Sequence, residues 1–125
     1  MKVTNLARSS FNHCLDYYSV HFGALAKAFG ACAKVTSRYP GWSFNNNSKL
    51  QEKYIKVYKN LFGEDTNPKI DSIHAGLECG VIKNALPDMD IISIGPTMFD
   101  VHTPKERLSL ESFDRFMKIL YEFIK

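Results

Sequence analysis

Long hydrophobic runs, a paired set of cysteines and a marked excess of one charge are all missing from this sequence. No stretch approaches the roughly 18 apolar residues of a transmembrane helix, and the opening MKVTNLARSS has no apolar signal-peptide core. The 16 Lys and Arg are scattered and nearly balanced by 13 Asp and Glu, for a formal charge of +3. We therefore expect a cytoplasmic protein without a nucleic-acid or membrane partner.

The cysteines exclude two further classes of protein. Cys14, Cys32 and Cys79 are odd in number and lack zinc-finger spacing, so a disulfide framework and a structural zinc site are both unexpected. Reduced thiols in packing roles are the expectation. The 125 residues are 45% hydrophobic and 13% aromatic, which is enough for one globular domain or two small pieces.

The first forty residues are predicted to form a strand, a helix and a strand. Alternation predicts strands at 3–7 and 33–39, the second ended by Pro40 and Gly41. Between them, Gly30 is placed to end a helix. The apolar face of this helix recurs at steps of three and four residues: Phe11, Leu15, Tyr18, Phe22, Leu25 and Phe29.

The rest of the chain predicts two helices and two strands. Ser48 and Gln51 form a capping box for a helix ending at Gly63, and the last helix begins at about Ser109. The apolar stripe of the last helix is Leu110, Phe113, Met117, Leu120 and Ile124. Strands are expected at 69–74 and 91–94, so helices and strands alternate as in an α/β fold.

Each half of this α/β arrangement is incomplete. Two or three strands with one or two helices are too few to cover both faces of a sheet of usual size. The chain is therefore expected either to complete its layers as a homo-oligomer or to be the end of a longer polypeptide.

A lone histidine, His102, follows a buried-looking strand and Gly95-Pro96. Neutral imidazole is a frequent transition-metal ligand, and in extended backbone Asp100 would share a face with His102 and could orient its ring. A solvated or hydrogen-bonded loop histidine is the alternative.

The segment HAGLECG is open to two interpretations as well. Gly76 and Gly80 would let backbone N–H groups approach a ligand carboxylate, but glycines also bracket ordinary turns. Glu78 could act as an acid, a base or a hydrogen-bond partner if buried, and would otherwise be a solvated carboxylate.

The segments HAGLECG and GPTMFDVHTPKER, in this order and with RSS and YPGW upstream, resemble the C-terminal part of the aminoacyl-histidine dipeptidases. That family, also called Xaa-His dipeptidase or peptidase D, belongs to the co-catalytic zinc peptidases that include carnosinases and carboxypeptidase G. The resemblance implies three regions: the end of a lid domain over 1–42, a hinge over 43–48, and the C-terminal part of a catalytic domain over 49–125.

The resemblance also implies roles for single residues. His102 matches the family's C-terminal ligand to one of two metal ions, expected to be zinc, with manganese or cobalt as alternatives. The role of Asp100 in orienting the His102 ring rests on local spacing alone. Substrate-binding positions are implied for Gly76, Glu78 and Gly80. Arg8, on the predicted lid strand, is placed like a lid arginine that binds the substrate carboxylate.

The remaining metal ligands and the general base of such enzymes lie N-terminal to the lid, and this sequence lacks that region. The implied function is hydrolysis of aminoacyl-histidine dipeptides by metal-activated water, with the N-terminal part of the enzyme as partner and this chain inactive alone. The alternative is a non-enzymatic remnant that oligomerises or binds a ligand through its exposed faces.

Overall fold

The computed structural model describes residues 1–73 and 78–125. This part of the chain contains four α-helices and one pair of short strands: α1 (Asn12–Ala28), α2 (Lys49–Phe62), α3 (Glu78–Ala85), β1 (Met98–Phe99), β2 (Arg107–Leu108) and α4 (Leu110–Ile124).

The chain divides into two compact units, each built from two separate segments. The first unit contains Met1–Asn46 and Asp71–Met89, and the second contains Asn47–Ile70 and Asp90–Lys125. The domain boundaries implied by the family resemblance, with a hinge at 43–48, stay a prediction.

The predicted helix ends are confirmed, because each is set by contacts within a few residues. Gly30 has φ +68° after α1, and the Ala31 N–H donates to the Ala26 carbonyl at 2.8 Å, as in a Schellman motif. At the start of α2, Ser48 accepts the Gln51 N–H at 3.0 Å.

The predicted strands are not found in the described residues. The segments 3–7, 33–39, 69–73 and 91–94 form no β-ladder, and β1 and β2 lie outside all of them. Alternation can indicate a strand, but a strand exists only where another strand accepts its backbone hydrogen bonds. No such partner is present for these segments in the described part of the chain, so the predicted strand-helix-strand of the first unit is wrong as an assignment of strands.

The first unit is held together by two close backbone approaches at the segment 40–42. A Cβ added at Gly41 would lie 2.5 Å from the Ser10 carbonyl oxygen, and one added at Gly80 would lie 2.7 Å from the Pro40 carbonyl oxygen. The Gly41 N–H also donates to the Asn12 side chain at 2.7 Å. Two glycines therefore let the YPGW segment lie between the start of α1 and α3.

An exposed ion pair links the segment after α1 back to that helix. Arg38 Nη1 lies 2.6 Å from Asp16 Oδ1. The hydrogen bond from Arg38 holds the pKa of the Asp16 carboxyl below its usual value. The segment predicted as a strand therefore contacts α1 through a side chain and not through a ladder.

The second unit is centred on the contact between α2 and α4. Ile119 of α4, 4% exposed, is the single buried large hydrophobic side chain among the described residues. Beside it, Tyr54 of α2 meets Phe123 of α4 edge to face, with ring centroids 6.2 Å apart. Burial, with a smaller contribution from Tyr58, raises the pKa of the Tyr54 phenol.

The buried face of α4 is not the predicted stripe. Ser112 and Ile119 are its buried residues, and Phe116 and Phe123 are half-buried. Most of the predicted stripe is exposed and forms, with Tyr121, what we call the outer face of α4: Leu110, Phe113, Met117, Tyr121 and Ile124. The helix is apolar on two sides, and periodicity alone cannot tell which side meets α2.

The Asp90 side chain caps the first turn of α2 from a distant part of the sequence. Its Oδ2 accepts hydrogen bonds from the Ser48 hydroxyl at 3.0 Å and from the Leu50 N–H at 2.9 Å. A carboxylate at this position satisfies a free amide of the helix and opposes the positive end of its dipole.

Replacing Asp90 by alanine is expected to lower the free energy of unfolding of the second unit by about 1 to 2 kcal/mol. Asp90→Asn keeps one acceptor oxygen and should lose about half of that. Urea unfolding followed by circular dichroism measures both, with the exposed Asp88→Ala as the matched control. An Asp90→Ala protein that unfolds at the wild-type urea concentration would contradict this capping role.

No helix in the described ranges has both the length and the apolar character needed to cross a bilayer. Cys14, Cys32 and Cys79 are free thiols, as predicted, but Cys32 is exposed, so the packing role expected for it is wrong.

Candidate functional site

The predicted metal ligand His102 lies on a hairpin anchored to the start of α4. Met98 of β1 pairs with Leu108 of β2, and Phe99 pairs with Arg107. Just outside this ladder, the Ser109 N–H donates to the Thr97 carbonyl at 3.0 Å. The hairpin therefore ends directly at the N-cap of α4.

A buried serine secures the base of the hairpin. The Ser112 hydroxyl, in the first turn of α4, accepts the Thr97 N–H at 2.8 Å and donates to the Ser109 carbonyl at 2.9 Å. Ser112 is only 6% exposed, so water competes little for these bonds. The short strands thus gain a fixed attachment that two residue pairs alone could not give.

The loop between the strands, residues 100–106, is called the His102 loop below. Asp100 and His102 have φ of +50° and +65°, and they are the non-glycine residues at positive φ in the described chain. Aspartate and histidine tolerate this left-handed region better than most side chains, but they enter it only where the surroundings impose it. Thr103 imposes part of it: its N–H and its hydroxyl both donate to the Asp100 carbonyl, at 3.2 and 2.7 Å.

Glu106 forms the second constraint on the loop. Its carboxylate oxygen Oε2 accepts the backbone N–H of His102 at 2.8 Å, and its own N–H donates to the Thr103 carbonyl at 3.1 Å. A bond from an amide to a charged carboxylate is stronger than one between neutral groups. The backbone of His102 is therefore held from both sides, while its side chain is exposed.

The expected extended backbone between Asp100 and His102 is wrong, since both residues lie in a turn at positive φ. The Asp100 carboxylate is hydrogen-bonded and ion-paired to Arg107, whose guanidinium lies 5.0 Å from the centroid of the Phe99 ring. Asp100 thus ties the start of the loop to β2. Its proposed support of the His102 ring stays a prediction.

The described residues alone do not fit a zinc site. Within 1–73 and 78–125 no three His, Cys, Asp or Glu side chains lie close enough together to hold a metal ion. The His102 ring forms no hydrogen bond with the described residues, so a nitrogen of the ring is available as one donor. A stable zinc site takes three or four protein ligands, so the others would have to come from outside these residues.

Three of the four predicted substrate-binding residues, Arg8, Glu78 and Gly80, lie in the described part of the first unit. Arg8 is exposed and lies outside any strand, contrary to its expected place on a lid strand. Glu78 and Gly80 lie in the first turn of α3, where a glycine-flanked loop was predicted. Gly76 falls outside the described residues.

For Glu78 and Gly80 the structure indicates local roles. Glu78 is an exposed acidic residue in the first turn of α3, where it opposes the helix dipole. Gly80 is buried, and the Pro40 carbonyl leaves no room for a side chain there. Substrate contacts at either residue stay a prediction.

Sequence reasoning missed the two residues that shape the His102 loop. Thr103 and Glu106 follow His102 in the turn HTPKE, and a threonine before proline is a turn signal. That signal places a turn there, but the bond from the His102 N–H to the Glu106 carboxylate depends on the three-dimensional path of the loop.

Comparison with known proteins places the chain in a family. Residues 12–125 match the sequence profile described as "Peptidase family M20/M25/M40". The chain belongs to this peptidase family. This confirms the resemblance stated from the sequence motifs, and the family is one of hydrolases.

Two proteins that the chain resembles are both named as dipeptidases. The chain is 38% identical over 120 residues to the cytosol non-specific dipeptidase of Escherichia coli strain K12, a match that covers 96% of this chain. It superposes with a TM-score of 0.71 and 31% identity on the aminoacylhistidine dipeptidase of Vibrio alginolyticus, over 91% of this chain. The second match shows that the chain has the fold of part of a peptidase of this family.

The chain spans only about a quarter of each relative, 24% of the length in both comparisons. The helices and the small sheet described above are therefore the counterpart of a part of those enzymes. The predicted α/β class is supported at the level of the shared fold and not by the sheet of the chain itself.

Proposed function

We propose that this chain is the C-terminal part of a metal-dependent dipeptidase and acts in peptide-bond hydrolysis only together with the remaining part of the enzyme. The observation that carries the proposal is the match of residues 12–125 to a peptidase family. The names of the two dipeptidases it resembles support the substrate class. Alone, the chain is expected to be inactive, because its described residues do not compose a metal site.

In this proposal His102 is one ligand of the metal centre, and the other ligands come from the remaining part of the enzyme. Zinc is the expected metal, with manganese or cobalt as substitutes. The exposed imidazole on a restrained loop supports this role, since a rigid donor loses little conformational entropy on binding. Asp100 would support His102, and Arg8, Gly76, Glu78 and Gly80 would contact the dipeptide.

The preferred substrates in this proposal are aminoacyl-histidine dipeptides. The sequence motifs point to this preference, and one of the two similar proteins is named for it. The other is named a non-specific dipeptidase, so the preference has to be measured against a dipeptide without histidine. A cytoplasmic location is proposed with it, in line with the word "cytosol" in that relative's name.

The partner of the chain is proposed to be the N-terminal part of the same kind of enzyme. The exposed apolar surface supports this partner, because the outer face of α4 has side chains between 39% and 75% exposed. The chain without this partner is expected to form a homo-oligomer, since exposed apolar faces associate in water.

Complementation tests the proposed function. The E. coli dipeptidase is produced without the quarter that this chain matches, this chain is added, and hydrolysis of Ala-His and of Ala-Ala is measured with zinc, manganese or cobalt. We expect hydrolysis with the mixture and none with either part alone, and faster hydrolysis of Ala-His.

The removed E. coli quarter, added back as a separate chain, is the control for complementation itself. If that control restores hydrolysis and this chain does not, the proposed function is wrong and a non-enzymatic remnant is favoured. Equal rates for Ala-His and Ala-Ala would contradict the substrate preference while leaving dipeptide hydrolysis in place.

A further inference from the structure

The backbone amide of His102 and the carboxylate of Glu106 are in direct contact, four residues apart along the chain. The amide nitrogen lies 2.8 Å from Glu106 Oε2, and His102 itself is at φ +65°. A histidine at positive φ is uncommon, and it persists only where neighbouring bonds fix the backbone. Glu106 is the residue that makes this bond.

We propose that Glu106 is a positioning residue for His102. Its carboxylate fixes the left-handed backbone of His102 and so sets the direction in which the imidazole leaves the loop. Thr103 assists by closing the preceding turn onto the Asp100 carbonyl. The functional part of this inference rests on the proposed function of the chain and the role of His102 in it. The hydrogen bond between the His102 amide and Glu106 does not depend on that function.

Two other polar side chains near His102 are bonded to other groups and do not hold its backbone amide. The Asp100 carboxylate is already paired with Arg107, and the Thr103 hydroxyl bonds the carbonyl of Asp100 and the N–H of Lys105. Neither group accepts the His102 amide. The ladder of the hairpin ends at Phe99 and Arg107, so His102 lies outside the strand pairing found in the described residues.

Amide hydrogen exchange of the chain, measured by NMR without metal or partner, tests the contact. Glu106→Ala removes the acceptor, and we expect the His102 amide to exchange about three- to tenfold faster. Glu106→Gln retains a carbonyl oxygen of the same reach and should keep exchange within about twofold of wild type. Glu122→Ala, which removes a half-exposed glutamate bonded to Lys125 at 2.7 Å, is the matched control and should change nothing at His102.

Three results would overturn the positioning role. Glu106→Ala could leave the exchange of His102 unchanged, or Glu106→Gln could exchange as fast as Glu106→Ala. An equal acceleration across all amides of the second unit would mean that Glu106 stabilises the fold and does not position His102.

The functional consequence is measured in the complemented dipeptidase. Glu106→Ala should lower kcat about tenfold with little change in KM, and Glu106→Gln should recover most of the loss. Equal kcat for the wild type and Glu106→Ala would overturn the role in function. Failure of the wild-type chain to complement would contradict the proposed function instead, and the exchange experiment would still decide whether Glu106 holds His102.

Discussion

Replacing His102 by alanine is expected to reduce dipeptide hydrolysis by the complemented enzyme at least about a hundredfold. Loss of residues that merely support a metal ligand costs metalloenzymes about 10- to 100-fold, and loss of the ligand itself should exceed that. The change should not disturb the fold, because His102 is exposed and its ring makes no hydrogen bond with the described residues. Initial rates of Ala-His hydrolysis, with the metal content of the complex measured in parallel, check this.

His21→Ala is the matched control for this substitution. His21 is also an exposed histidine, but it lies on α1 and bonds the Tyr17 carbonyl through Nδ1 at 2.8 Å. We expect its removal to leave the rate within about twofold of wild type, as for most surface substitutions. Equal rates and equal metal content for wild type and His102→Ala would show that His102 is not a ligand.

Gly41→Ala is expected to destabilise the first unit by about 2 to 3 kcal/mol. The added Cβ would lie 2.5 Å from the Ser10 carbonyl oxygen and 2.6 Å from its carbon, and these are backbone atoms that cannot rotate away. Two bonds hold the backbones in this position: Gly41 N–H to Asn12 at 2.7 Å, and Ser43 hydroxyl to the Ser10 carbonyl at 3.0 Å. Relief of the clash would break at least one of them.

The fluorescence of Trp42 reports this change, since Trp42 adjoins Gly41 and is the only tryptophan in the sequence. Urea unfolding of Gly41→Ala should occur at a lower denaturant concentration than that of wild type. Gly23→Ala is the control: Gly23 lies inside α1 with open space around it, and alanine there should stabilise by about 0.5 to 1 kcal/mol. A Gly41→Ala protein as stable as wild type would mean that the two segments do not approach this closely.

The family motifs and the helix ends were readable from the sequence. Ser48, Gly30 and Ser109 mark helix boundaries through bonds to residues at most a few positions away, so local sequence is sufficient to predict them. The family could be recognised from the sequence because its motifs occur in the same order along the chain. The position of His102 in a loop between a buried-looking segment and a helix was also readable.

The strands and the buried face of α4 could not be predicted from the sequence. Alternation at 3–7 and 33–39 is compatible with a strand, but pairing requires a neighbour that these segments lack in the described part of the chain. α4 is apolar on two sides, and only contact with α2 selects Ile119 for burial. Both errors have one cause, since each feature depends on residues distant in sequence.

By itself, then, the sequence determined the ends of α1, α2 and α4 and the peptidase family to which the chain belongs, because those depend on neighbouring residues and on ordered motifs. It did not predict α3, where a loop was expected. The tertiary structure alone decided that His102 lies at positive φ with its amide on Glu106, and that Ser112 ties the hairpin to α4. These contacts depend on the path of the backbone through space, and sequence spacing does not specify that path.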